Sequence, residues 1–153
     1  MKLSNFLTTA VLLPLISTAG LFSQEALAAE ATLELTVAGI DASEGQIMIV
    51  VFADSDAFNS GDDPIGYARV DATSDTVTAQ IDGLESGPCA IKLYHDVNGN
   101  GELDTNLIGM PTEPFGFSNG AVARFGPPSF DQSVFTLEDG ANNHSINLTS
   151  FGG

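Results

Sequence analysis

Beyond Ala29, the apolar residues of this chain fall in short segments, and in no window do they recur at helical spacing. β-Structure is the remaining way to bury them. Leu33, Leu35 and Val37 alternate with Thr32, Glu34 and Thr36, the pattern of a half-buried strand ending at Gly39. Ile47 to Phe52 is a continuous β-branched and aromatic run, short enough for a strand covered on both faces. Tyr67–Val70 and Thr76–Ile81 read as two more strands, joined across Asp71 to Asp75. In a fifth, Cys89, Ile91 and Leu93 share one face while Lys92 and Tyr94 take the other. Near the end, Val134–Leu137 and Ser145–Phe151 flank Asp139-Gly140, which predicts a hairpin. Residues 54–64 form an acidic loop with room for one helical turn. About seven short strands with turn residues between them predict an all-β fold, a two-sheet antiparallel sandwich.

The first 28 residues carry a different pattern. Met1-Lys2 is a short positive start, Phe6 to Phe22 is apolar with only Ser, Thr, Pro and Gly breaks, and Ala26-Leu27-Ala28 suits a signal peptidase. Pro14 and Gly20 interrupt the run and no Lys or Arg cluster follows it, so a permanent span is not expected. The reading is a signal peptide over residues 1–28 and one domain over 29–153. The mature chain is then exported, periplasmic or extracellular, with no membrane insertion after cleavage.

A chain of 125 residues suits one domain and buries roughly two thirds of its unfolded surface. It must do so without an internal disulfide, because Cys89 is the only cysteine. With no cationic neighbour in sequence, Cys89 reads as a small buried hydrophobe. Charge is lopsided. The net value is −16, and removing residues 1–28 takes away one cation, Lys2, and one acid, Glu25. Arg69, Lys92 and Arg124 then face 19 acids. Nucleic acid is excluded as a partner and anionic lipid surfaces are repelled.

The sharpest motif runs from Tyr94 to Asp104, Tyr-His-Asp-Val-Asn-Gly-Asn-Gly-Glu-Leu-Asp. Counted from Asp96, oxygen side chains stand at positions 1, 3, 5 and 9 (Asp96, Asn98, Asn100, Asp104), with Gly101 at position 6. Calcium takes six to eight oxygens, and alternate residues of a tight loop aim theirs at one point. Glu102 would add its backbone carbonyl, and Leu103 would pin the loop to the core. Position 12 is Leu107 where an EF-hand has a bidentate Glu, and a strand rather than a helix leads into the loop. Glu113 or an acid of residues 54–63 would have to complete the set. The alternative is an Asn/Asp/Gly turn held by side-chain-to-backbone hydrogen bonds. His95 precedes the loop, but strand parity turns it to the core. The only other histidine, His144, is distant in sequence, and no H-x-H or H-x-x-x-H pair occurs.

Residues 109–131 hold Phe115, Phe117, Phe125, Phe130 and four prolines with little alternation. So long an irregular stretch in a small domain is either a lid over one end of the sandwich or a ligand site. Glu113, Phe115, Phe117 and Arg124 are the candidate ligand contacts, Arg124 being the one cation there.

His95-Asp96-x-Asn98-Gly99-Asn100-Gly101-x-Leu103-Asp104-Thr105-Asn106, then Gly109-x-Pro111-Thr112-Glu113-Pro114-x-Gly116-Phe117-Ser118-Asn119, resembles a bacterial exported family known as domain of unknown function 2141. Arg124-Phe125-Gly126-Pro127-Pro128-x-Phe130 fits it too. The resemblance covers the mature chain. It implies a signal peptide followed by one immunoglobulin-like or prealbumin-like β-sandwich, and it implies no activity.

No G-x-S-x-G elbow, P-loop, dinucleotide fingerprint or Cys-His pairing is present. The leading reading is a non-catalytic module that binds calcium at Asp96–Asp104 and a small molecule or protein partner at residues 109–131. One alternative is a metal-dependent hydrolase using His95, Asp96 and Glu113, and another is a purely structural envelope module. The charge alone generates one expectation. Like charges repel less when salt shortens the Debye length from roughly 30 Å at 0.01 M to 8 Å at 0.15 M. The melting temperature should therefore rise with sodium chloride, as read by circular dichroism.

Overall fold

Alternation along β1 (Glu30–Ala38) sends Ala31, Leu33, Leu35 and Val37 to complete burial and leaves the residues between them half-buried or exposed. The computed structural model describes residues 30–41 and 44–151; the expected signal peptide lies outside them. β2 (Gln46–Phe52), β3 (Gly66–Asp71), β4 (Thr76–Glu85), β5 (Gly87–Asp96), β6 (Phe115–Phe117), β7 (Phe135–Leu137) and β8 (Gly140–Asn147) follow. They form two sheets. One has the order β4-β1-β8; the other has the order β3-β2-β5-β6, with β7 also paired to β5. The expected two-sheet all-β sandwich is what forms, with eight strands.

The core lies between the sheets. Leu33, Leu35 and Val37 of β1 meet Ile47, Ile49 and Val51 of β2, with Val77, Ala79, Ile81, Ile91, Leu93 and Ile146 closing around them. Each fully buried aliphatic side chain contributes roughly 1.5–3 kcal/mol, and this layer is the main source of stability. Cys89 sits in it with no exposure, and burial pushes its thiol up to about 12, so it is inert packing as expected.

Two expectations are corrected. Asp139-Gly140 does turn the chain, with Gly140 at φ +85°, but the flanking strands do not form a hairpin. β7 pairs with β5, and β8 crosses to the other sheet. Asn142 holds this crossing. Its amide donates to the carbonyls of Glu138 and Gly140, and its oxygen accepts from the Glu138 N–H. As a result β8 runs parallel to β1, from Ala31↔Gly140 to Ala38↔Asn147, so the sandwich is not wholly antiparallel. Likewise β3 and β4, successive in sequence, lie in different sheets.

The five-stranded sheet is covered on its second face as well. Asp54 caps α1 (Ser55–Ser60), its Oδ1 accepting from the N–H groups of Asp56 and Ala57 at 2.9 Å. This fixes the one helical turn expected there. Phe58 of α1 packs edge-on to Phe52 of β2 and to Phe130 of α2 (Phe130–Ser133). Ser118, fully buried, fills the gap between β6 and β7 along β5. Its hydroxyl accepts from the Ile91 N–H and donates to the Ser133 carbonyl. The 109–131 segment is thus partly ordered into β6, a single turn at Ser118–Gly120 and α2.

Gly45, at φ +75°, lies against the strand end at Asp96, where an added Cβ would stand 2.7 Å from the Val97 Cα. Gly83, at φ +70°, has nothing within 4 Å. Gly83→Ala should cost only the left-handed backbone penalty, about 1–3 kcal/mol. Gly45→Ala should cost measurably more in urea unfolding, because backbone cannot move aside as a side chain does.

Candidate functional site: the Asp96 loop and the second-face cavity

β5 ends at Asp96, whose side chain is 2% exposed. Its Oδ1 accepts from the Gly99 and Asn100 N–H groups at 2.8 and 3.1 Å, and its Oδ2 from Gly101 at 2.8 Å. Asn98 Oδ1 accepts from the Asn100 N–H, and Asn100 Oδ1 from the Glu102 N–H. Their amide nitrogens converge on one carboxylate: Asn98 Nδ2 lies 2.5 Å from Asp104 Oδ2, and Asn100 Nδ2 3.0 Å from Asp104 Oδ1. Gly99 and Gly101, at φ +75° and +82°, supply the left-handed turns this requires.

The loop is clamped by Glu113, 6% exposed. Its Oε1 accepts from the Val97 N–H at 2.9 Å and its Oε2 from the Asp104 N–H at 3.0 Å, one at each end of the loop. The chain beyond Glu113 is tied to the same strand end, since the His95 N–H donates to the Pro114 carbonyl. Tyr94 reports the local field. Burial first, and then the charges of Asp96, Glu113 and Glu102, raise its phenol above the ordinary range. Its hydroxyl donates to the Gly101 carbonyl.

The expected residues are therefore together in part. Asn98, Asn100 and Asp104 meet, while Asp96 organises the loop through backbone N–H groups. Glu102 is exposed, and Glu113 belongs to this loop rather than to the aromatic segment. Leu103 is half-buried and lines the cavity described below rather than the core. Leu107 is fully exposed at the tip of a short excursion closed by the Thr105↔Pro111 bridge. His95 is buried, as strand parity predicts, with Nε2 2.7 Å from the Glu44 carbonyl oxygen. His144, on the other sheet, stacks on Phe135 and accepts from the Asn119 N–H, and burial lowers its pKa. His95, Asp96 and Glu113 thus meet backbone partners in closed surroundings. Among the described residues, no three His, Cys, Asp or Glu side chains cluster to hold a metal. Any cation at the loop would rest on amide and carbonyl oxygens alongside its carboxylates.

Next to the loop, the outward face of the five-stranded sheet floors a cavity of about 610 Å³. Val50, Phe52, Tyr94, Phe115 and Phe117 are among the floor residues. Leu103, Met110 and the segment from Ala123 to Pro127 supply walls. Phe115 and Phe117 meet edge-on at 5.9 Å. Of the candidate ligand contacts, Phe115, Phe117 and Arg124 line this space and Glu113 does not. Sequence reasoning missed Lys92 and Tyr94 as cavity residues, although their shared strand face was the available signal.

A two-sheet sandwich with a clamped acidic loop at one strand end and a cavity on the outer sheet face defines an all-β module with two concave or looped candidate sites. The chain belongs to the family described as an uncharacterized protein conserved in bacteria (DUF2141), whose family model matches residues 35–145. That span runs from within β1 to within β8 and includes the Asp96 loop and every cavity-lining residue but Phe151. Among curated proteins and among solved structures, nothing matches the chain.

Glu113→Gln replaces one clamping oxygen by an amide NH₂ facing an N–H. It should cost about 1–3 kcal/mol in denaturant unfolding and speed amide exchange selectively at Val97 or Asp104.

Proposed function

We propose that this protein is an exported, non-catalytic β-sandwich module whose Asp96–Asp104 loop binds calcium. One observation carries the reading: the side chains at positions 3, 5 and 9 of the loop meet at the Asp104 carboxylate. Each Asn Oδ1 accepts one backbone hydrogen bond and keeps a lone pair. A hard cation would take those lone pairs and Asp104, displacing the two amide N–H contacts. The carboxylates that raise the Tyr94 phenol concentrate negative charge there. Export rests on the pattern of residues 1–28. The backbone partners of His95, Asp96 and Glu113 favour a structural role for these groups over acid–base work.

A second reading, a turn closed by its own hydrogen bonds, is favoured by the three N–H groups on Asp96. Calorimetry and melting in calcium against chelator separate the two. The calcium reading expects a dissociation constant of roughly 10⁻⁴–10⁻³ M, because position 12 lacks its Glu. It also expects about 2.7 kcal/mol of stabilisation at 100 times that constant. Asp104→Ala should abolish the calcium response and leave most of the metal-free stability. Equal melting in calcium and chelator would reduce the loop to a turn.

A further inference from the structure

The cavity on the second face of the five-stranded sheet is anomalous in its charge. The chain carries 20 acids and four Lys or Arg residues, yet among the described residues none that lines the cavity is Asp or Glu, while Lys92 and Arg124 both line it. Among the described residues there are only three Lys or Arg, the third being Arg69 on β3. A merely solvated surface of so acidic a chain would carry acids here as elsewhere.

The two cations are held differently. Lys92 projects from β5, donates to the Phe58 carbonyl and lies over the Phe58 ring at 4.3 Å and the Phe52 ring at 5.4 Å. Burial lowers its pKa. Arg124 is exposed in the wall segment and carries its planar fork of donors to the edge of an apolar space.

The surroundings are apolar beyond the cavity itself. Of the seven large hydrophobics exposed among the described residues, Phe125 and Phe151 line the cavity. Leu107 and Ile108 lie between lining residues Thr105 and Gly109, and Val122 precedes lining residue Ala123. Two of the seven thus line it and three more stand beside lining residues in sequence. Scattered apolar residues on a surface need no explanation, but their concentration around one concavity does. The cavity volume of about 610 Å³ falls within the roughly 300–1,000 Å³ of small-molecule sites.

We propose that this cavity binds a single-chain amphiphile with a carboxylate head, its tail along the outer face of β2, β5 and β6 and its head on Arg124. The apolar floor accounts for the tail, and the acid-free lining for the tolerance of negative charge. One exposed guanidinium matches one carboxylate in a two-point contact, whereas a multiply charged head would meet the repulsion of the whole chain. The site stands on the cavity alone and does not require the calcium reading.

Calorimetric titration of the protein in chelator, with each probe below its micellar concentration, tests this apart from the cation loop. Decanoate should bind saturably at one site, with decanol about tenfold weaker for want of one charge-assisted contact, and decyltrimethylammonium weaker than both. Arg124→Gln, on an exposed wall position, should bring decanoate down to the level of decanol and leave decanol unchanged. Ala123→Trp should reduce binding of decanoate and decanol alike by filling the space. Absence of saturable decanoate binding overturns the proposal. So does a preference for the ammonium probe, or a carboxylate preference that survives Arg124→Gln.

Discussion

The buried carboxylate of Glu113 is the constraint on which both candidate sites depend. It is removed from water, and its two oxygens are satisfied by the N–H groups of Val97 and Asp104. A buried charge without partners would be costly, so the loop ends must stay where those N–H groups can reach it. Once they do, the Asp96 carboxylate can gather the N–H groups of Gly99, Asn100 and Gly101 and set the path of the loop. The same clamp delivers the chain to β6, two residues on, and so builds the cavity floor.

That floor shows how one sheet can serve two tasks. The inward face of β2 and β5 carries aliphatic side chains into the main core, and the period of two leaves the other face free for different chemistry. Phe52, Phe58 and Ala90 form a second small cluster at one end of that outer face, roofed by α1 and α2. At the other end the covering segments stand away and the cavity remains. Ser118 joins the two ends by satisfying Ile91, which lies between the parts of β5 that β7 and β6 pair. The sheet supplies the floor of the cavity, and its walls come from residues 103–111 and 123–127.

Much of the site was legible as a set of residues but not as an arrangement. The oxygen spacing from Asp96 to Asp104 marked the loop, and the phenylalanines after Glu113 marked an unusual segment. Spacing could not say that Asp96 would spend its oxygens on backbone N–H groups, since those partners exist only once Gly99 and Gly101 adopt positive φ. Nor could it assign Glu113 to the loop and Phe115 to the cavity, two residues apart, because that division follows from the onset of β6. Lys92 and Tyr94 were recognised as sharing a face, but what covers a face is decided by chain segments distant in sequence.

By itself the sequence determined the all-β class, the faces of β1 and β5, the inert burial of Cys89, the inward turn of His95, and the turn at Asp139-Gly140. These follow from local rules: strand periodicity, parity and the backbone freedom of glycine. Tertiary structure alone decided that β8 crosses to run parallel to β1, and that β3 and β4 part into different sheets. It also decided that Lys92 and Arg124 line one cavity, with no Asp or Glu among its described lining residues. Pairing partners and cavities are set by which surfaces meet when the two sheets close on their shared core. Asn142 closes the Asp139-Gly140 turn locally on Glu138 and Gly140, whereas the destination of β8 rests on its pairing with β1 and on Ile146 entering the shared core.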